Sequence, residues 1–119
     1  MSKTNSIIDL IEAGIRAESL RQKAIANNIA NLGTPGYRRI DVKFEQLLAK
    51  SLDSSRAVEL SKIKPQIYQP EKTPVKSNGN DVHLETEVGQ MTKNTLRHKA
   101  YIWLLIKRYK QMDSAINTK

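Results

Sequence analysis

The chain has 119 residues, with 20 lysines and arginines against 12 aspartates and glutamates, a formal net charge of +8 and a pI near 9.8. It has no cysteine, which excludes disulfides, zinc–thiolate sites and cysteine catalysis. Aromatics at 5%, charged residues at 27% and a mean hydropathy of −0.54 suit one extended helical unit better than a large-cored globule. The basic balance raises nucleic acid or an acidic surface as a partner. The basic residues are scattered, however. Their densest group (Lys93, Arg97, Lys99, Lys107, Arg108, Lys110) has only Tyr101, Trp103 and Tyr109 beside it for stacking. A solvated helix face, or a face that meets an acidic subunit, fits that pattern better.

The first element expected is a helix from Ser6 to Leu32, within a first unit of residues 1–32. Asn5 or Ser6 can cap it, and Asp9 sits near the positive end of its dipole. Ile8, Ile11, Ile15, Ile25, Ile29 and Leu32 form a three–four ladder, with Glu18 and Gln22 on the two polar rungs. Gly14 weakens the N-terminal half by about 1 kcal/mol, so that half is expected to be poorly ordered in an isolated monomer. Asp9 and Glu12 interrupt the early apolar residues, which argues against a cleavable signal peptide. The longest apolar run, Tyr101 to Ile106, falls far short of a membrane span.

The helix is expected to stop at Gly33, where a left-handed residue would end it, with Pro35 preventing an immediate restart. Thr34-Pro35-Gly36-Tyr37 then fits a type II turn, with Gly36 at positive φ. Asn27, Asn28 and Asn31 crowd the helix end, each costing roughly half a kcal/mol relative to Ala. Two readings stand: Asn tolerated at a fraying terminus, or amides bonded to a neighbouring helix or to the turn backbone.

Residues 33–80 read as an irregular, partly disordered middle that holds all four prolines. A short helix is expected over 41–52, with Phe44, Leu47, Leu48 and Leu52 on one face. Ile63 to Val75 reads as extended chain or weak strand, because Pro65, Pro70 and Pro74 each remove a ladder donor.

The third unit, 81–119, is a long helix expected from about Val82 to Asn117, roughly 54 Å, capped by Asn80 or Asp81. Leu84, Val88, Met91, Thr95, His98, Ile102, Leu105, Tyr109, Met112 and Ile116 alternate steps of four and three as a coiled-coil seam. Leu96, Ala100, Trp103 and Ile106 add a second stripe, wider than one partner helix would cover. His83 and His98 alone make no metal set. The fold expected is therefore all-α: two long terminal helices in a coiled-coil-like hairpin, completing their fold on assembly. No nucleophile–base set, phosphate loop, cofactor motif or metal set is legible, so the chain does not read as an enzyme.

Ala26-Asn27-Asn28-Ile29-Ala30-Asn31, followed by Thr34-Pro35-Gly36-Tyr37, resembles the N-terminal signature of the bacterial flagellar axial proteins, the rod and hook family. Asn78-Gly79-Asn80-Asp81-Val82-His83-Leu84-Glu85-Thr86-Glu87, leading into Met91, Asn94, Leu96, Arg97, Ala100, Leu104-Leu105 and Ala115-Ile116, is similar to the C-terminal helix of the proximal-rod members. The short middle also matches those members. The resemblance covers roughly Leu20 to Lys119.

It implies a structural subunit exported by the flagellar type III apparatus without signal cleavage, and assembled into a hollow drive shaft across the periplasm. Its implied partners are itself, other rod proteins and basal-body and export-gate components, with no nucleic acid and no stable membrane insertion. The assembly interface expected comprises Ile25, Asn27, Asn28, Ile29, Asn31, Leu32, Val88, Met91, Leu96, Ile102, Trp103, Leu105, Tyr109, Met112 and Ile116, beside the turn Gly33 to Tyr37. The family's early substrates carry a Phe followed four residues later by an aliphatic residue, which Phe44 and Leu48 match. Packing of one helix face explains the same two residues equally well. A basic nucleic-acid-binding helical protein or a soluble adaptor are the competing functions.

Overall fold

The computed structural model describes residues 3–52 and 62–117. The helix α1 runs Lys3–Ala30, β1 Asp41–Lys43, α2 Glu45–Leu52, β2 Gln66–Tyr68 and α3 Leu84–Asn117. The molecule measures 67 × 31 × 14 Å, with a radius of gyration of 18.0 Å. A compact chain of this length would have about 13.5 Å. The two long helices pack antiparallel and form the body, while the middle segment covers one flank.

The architecture is mostly helical, as the periodicity indicated, with one small sheet added. Asp41 pairs with Tyr68, Val42 with Ile67 and Lys43 with Gln66, antiparallel. The helix expected over 41–52 therefore starts only at Glu45. Val42, at 4% exposure, is turned inward by the strand alternation, and the Phe44 carbonyl accepts the Leu48 N–H to open α2. At the other end, α1 begins at Lys3, ahead of the expected caps. The path of residues 53–61 lies outside the described residues.

Two further expectations change at the helix junction. Gly33 is not left-handed; Gly36, at φ 76°, and Gly79, at φ 85°, are the only described glycines with positive φ. The end of α1 instead unwinds through Leu32 N–H to Ile29 O and Thr34 N–H to Asn31 O bonds. Nor do Asn80 and Asp81 cap α3. His83 supplies the first carbonyl, to Glu87 N–H, and the two side chains upstream are engaged elsewhere.

A small apolar core of Ala13, Ala17, Phe44 and Ile63 lies under α2, with Leu47 and Leu48 against it. Phe44, in a stretch expected to be loose in the monomer, is 1% exposed. Small residues on α1 make room for close packing. A Cβ on Gly14 would stand 2.4 Å from the Tyr101 ring, so the helix breaker is also the seat for an aromatic side chain.

Candidate assembly site

The face of α3 that meets α1 is polar. Glu87, Asn94, Tyr101 and Arg108 fall seven residues apart on it, and Glu87 and Asn94 are its buried residues. The apolar seam is rotated around the helix from that face. Leu84, Val88, Met91, Ile102, Tyr109 and Ile116 are all exposed.

The junction between the helices is built from the asparagines. Asn28 is fully buried; its Nδ2 donates to Ile40 O at 2.9 Å and its Oδ1 accepts Ile40 N–H at 2.9 Å. The amide thus pairs with the backbone after the turn as another peptide group would. Asn28 Nδ2 also reaches Glu87 Oε2 at 3.1 Å, and Tyr37 OH donates to Asn28 Oδ1 at 2.9 Å. Asn27 Nδ2 donates to Tyr37 OH at 2.8 Å, and Asn31 Nδ2 bonds back to Asn27 O at 2.8 Å. Of the two readings of these asparagines, bonding to backbone and to the neighbouring helix describes Asn28, while Asn27 bonds the Tyr37 side chain instead.

From the other side, Asn80 Nδ2 donates to Asn31 O at 2.8 Å, Leu32 O at 3.2 Å and Thr34 O at 2.8 Å. Asn31 O and Thr34 O each also accept a backbone N–H, from Thr34 and Tyr37, and the distant amide gathers them with Leu32 O where a left-handed glycine would close other helix ends. Asp81 takes Arg39 N–H and Arg38 Nε, and Arg39 Nε donates to Glu87 Oε1 at 2.8 Å. Burial works against the charge on Arg39, but its hydrogen bond to Glu87 and the nearby Glu87 and Asp41 charges hold its pKa above the ordinary value. Burial, chiefly, also raises the Tyr37 phenol.

Midway along the hairpin, Glu18 is the centre of a second polar cluster. Its buried carboxylate pairs with Arg21 and accepts Arg97 Nε at 3.0 Å and Asn94 Nδ2 at 3.1 Å. Asn94 Nδ2 also donates to the Glu18 carbonyl at 2.7 Å. Arg21 then reaches Glu45, at the start of α2, so one ionic chain ties three helices. Burial alone would raise the Glu45 pKa, but the Arg21 hydrogen bond and charge bring it below its ordinary value. Among the described residues, no buried side-chain nitrogen or oxygen lacks a partner.

The residues expected at an assembly interface divide accordingly. Val88, Met91, Leu96, Ile102, Trp103, Tyr109 and Ile116 are exposed, with Leu105 and Met112 half-buried. Ile25 and Asn28 are interior; Asn27 is exposed, and Ile29, Asn31 and Leu32 are half-buried. Of the turn residues, Gly33 to Gly36 are exposed and Tyr37 is half-buried. Tyr37 N–H bonds Thr34 O at 3.3 Å across the turn. Phe44 and Leu48 sit in and against the core.

Sequence reasoning missed Glu18, Arg21, Arg39, Asn80, Asp81, Glu87, Asn94 and Arg97. Two signals were available. Glu18 sits on a rung of an otherwise apolar ladder, and Glu87, Asn94, Tyr101 and Arg108 repeat every seventh residue. Nothing here resembles a reaction centre: among the described residues no three acids or histidines gather as a metal site would need. No helix of the described residues is long and apolar enough to cross a membrane.

The junction coincides with what the chain shares with other proteins. Residues 12–38 match the family model described as flagella basal body rod protein. Curated proteins named flagellar basal body rod protein FlgB are similar over most of their length. The one from Borrelia hermsii is 27% identical, covering 92% of this chain and 94% of that protein. Its counterpart from Bacillus subtilis is 26% identical over 86% of each chain. In Yersinia enterocolitica the identity is 23% over 98% of this chain and 97% of the relative. A family model over most of α1 and the turn after it, and relatives that align over most of the chain, point the same way: the chain belongs to the flagellar basal-body rod protein family.

Proposed function

We infer that this flagellar basal-body rod subunit is a proximal one, exported through the flagellar type III apparatus and built into a hollow shaft that crosses the periplasm. It does no chemistry; it transmits torque and leaves a passage for later subunits. One observation carries this reading: the long helix α3 spends its polar face on its own partner α1 and keeps most of its apolar residues outside. A subunit designed to stay alone would do the reverse.

Two outward stripes suit contacts with more than one neighbour. Val88, Ile102, Tyr109 and Ile116 form one, and Leu96 with Trp103 the other. The neighbours are further copies of this chain and other rod proteins. Export as an unfolded chain fits the marginal apolar core, and it would bring Phe44 and Leu48, packed away in the folded subunit, within reach of an export-gate receptor. In that scheme the N-terminal part of α1 completes its order on assembly.

The test is Trp103→Asp. Trp103 is 59% exposed, so the monomer should keep its melting temperature, with a stability change within about 0.5 kcal/mol. Purified basal bodies should lack the variant, because a charge in a dry contact is left unpaired. Wild-type incorporation of Trp103→Asp would remove this face from the interface.

A further inference from the structure

The chain contains one Asn-Gly dipeptide, Asn78-Gly79, and it lies in the junction. An asparagine before glycine is the sequence most open to intramolecular attack, because no side chain hinders the following nitrogen. The Gly79 backbone nitrogen adds to Asn78 Cγ, a C–N bond forms, the Cγ–Nδ2 bond breaks and ammonia leaves. Water then opens the resulting succinimide at either carbonyl, giving aspartate or isoaspartate at position 78. No oxidant or cofactor is needed.

The folded geometry opposes this step at both reacting atoms. The Gly79 N–H, which must lose its proton to attack, is held by Lys76 O at 2.9 Å. The Asn78 side-chain oxygen is fixed by Asn80 N–H at 3.1 Å, so the carboxamide is not free to swing onto Gly79. Its own carbonyl accepts Gly36 N–H at 2.9 Å, which ties the dipeptide to the turn after α1. Gly79 stands at φ 85° with Gly36 Cα 3.3 Å from the position a Cβ would take, so the two glycines are stacked closely. Asn78 is itself exposed, and exposure alone would leave it reactive.

The product would matter more than an ordinary surface change. Isoaspartate routes the main chain through the side-chain carbon and lengthens it by one methylene. That shift falls two residues before Asn80, whose amide holds the three carbonyls at the end of α1, and three before Asp81, which holds Arg38 and Arg39. We propose that Asn78-Gly79 is a latent self-modification site, held closed by the folded junction and, once reacted, releasing Asn80 from α1.

The experiment incubates the full chain in mildly alkaline buffer, folded in one arm and in concentrated urea in the other. Peptide mass spectrometry follows the amide-to-acid conversion at position 78, and isoaspartyl methyltransferase labelling follows isoaspartate. The denatured arm should convert at least about tenfold faster, since in the folded chain reaction waits for local opening. Asn78→Gln, whose longer side chain closes a less favourable ring, should stay unmodified in both arms. Isoaspartyl protein recovered from urea and refolded should melt below the Asn78→Asp variant, which carries the charge without the backbone insertion. Equal rates in the two arms would overturn the protection. Equal melting of the isoaspartyl and Asn78→Asp proteins would overturn the link to Asn80.

Discussion

The two faces of α3 obey opposite rules. Toward α1 it presents Glu87, Asn94 and Arg97, held by directional bonds to Asn28, Arg39 and Glu18. Outward it presents Val88, Leu96, Ile102, Trp103 and Tyr109, all exposed, with Lys107 Nζ over the Trp103 ring. Apolar contact is tolerant of register and strong in area, whereas buried ion pairs are intolerant and add little net stability. The inner face therefore serves geometry: it fixes how two helices sit. The outer face holds the reserve of burial free energy for contacts that a single chain does not make. A helical hairpin whose inside was apolar could slide by a turn at small cost, and this one cannot.

The largest expected effect comes from breaking the inner face. Glu87→Ala should destabilise the monomer by about 3–5 kcal/mol, read by urea melting, because Arg39 and Asn28 lose a buried partner. A loss under 1 kcal/mol would show that the junction is not what fixes the helix pair. Phe44→Ala probes the apolar core by comparison, and removal of this side chain, 1% exposed, should cost a similar 3–5 kcal/mol. The same variant separates packing from export: secretion of Phe44→Ala at wild-type levels, despite the lost stability, would remove the export reading of Phe44.

A smaller effect sharpens the contact between the helices. Gly14→Ala gains about 1 kcal/mol of helix propensity but drives a methyl into the Tyr101 ring. It should therefore fail to stabilise the wild type. In a Tyr101→Ala background the same change should stabilise by about 1 kcal/mol, and additivity between the two sites would contradict the close approach.

The smallest effect is in the ionic chain. The Glu45 pKa is lowered in the folded state, so its contribution is present above the ordinary carboxylate value and lost as pH falls through the folded one. Melting temperature against pH should show a shallow acid limb below about pH 4.5 that Glu45→Gln flattens. Glu45 is half-exposed, so this limb is modest, and an unchanged profile in the variant would place the acid sensitivity elsewhere.

The long helices, the turn at Gly36 and the outward character of the second stripe were legible because each is written in local order: periodicity, proline and glycine spacing. The end of α1 was not. Gly33 carries the ordinary sign of a helix stop, yet the amide that gathers the carbonyls at that end is Asn80, more than forty residues away, and no local rule ties those positions. The same holds for the inner face. The apolar ladder predicts which residues avoid water, but Glu18 and Glu87 are buried because arginines from the opposite helix and from the turn arrive to meet them. The strand at Asp41–Lys43 was hidden by a helix-like spacing that starts at Phe44, and its pairing with Gln66–Tyr68 needed the fold to bring two three-residue segments together.

The antiparallel course of the hairpin has a mechanical consequence. Because α1 runs into the junction and α3 runs out of it, residues 3 and 117 belong to the same open end, and Ile7 lies near Gln111 there. A pull applied at either terminus loads the pair as a zipper rather than in shear, so contacts fail one row at a time. Traction on the N-terminal end would first widen the cleft that Ile7, Leu10 and Leu104 line, then meet the Glu18 cluster, and reach Asn28 and Asn80 last. The molecule therefore offers least resistance at the open end of the hairpin and most at the junction, where its shape is decided.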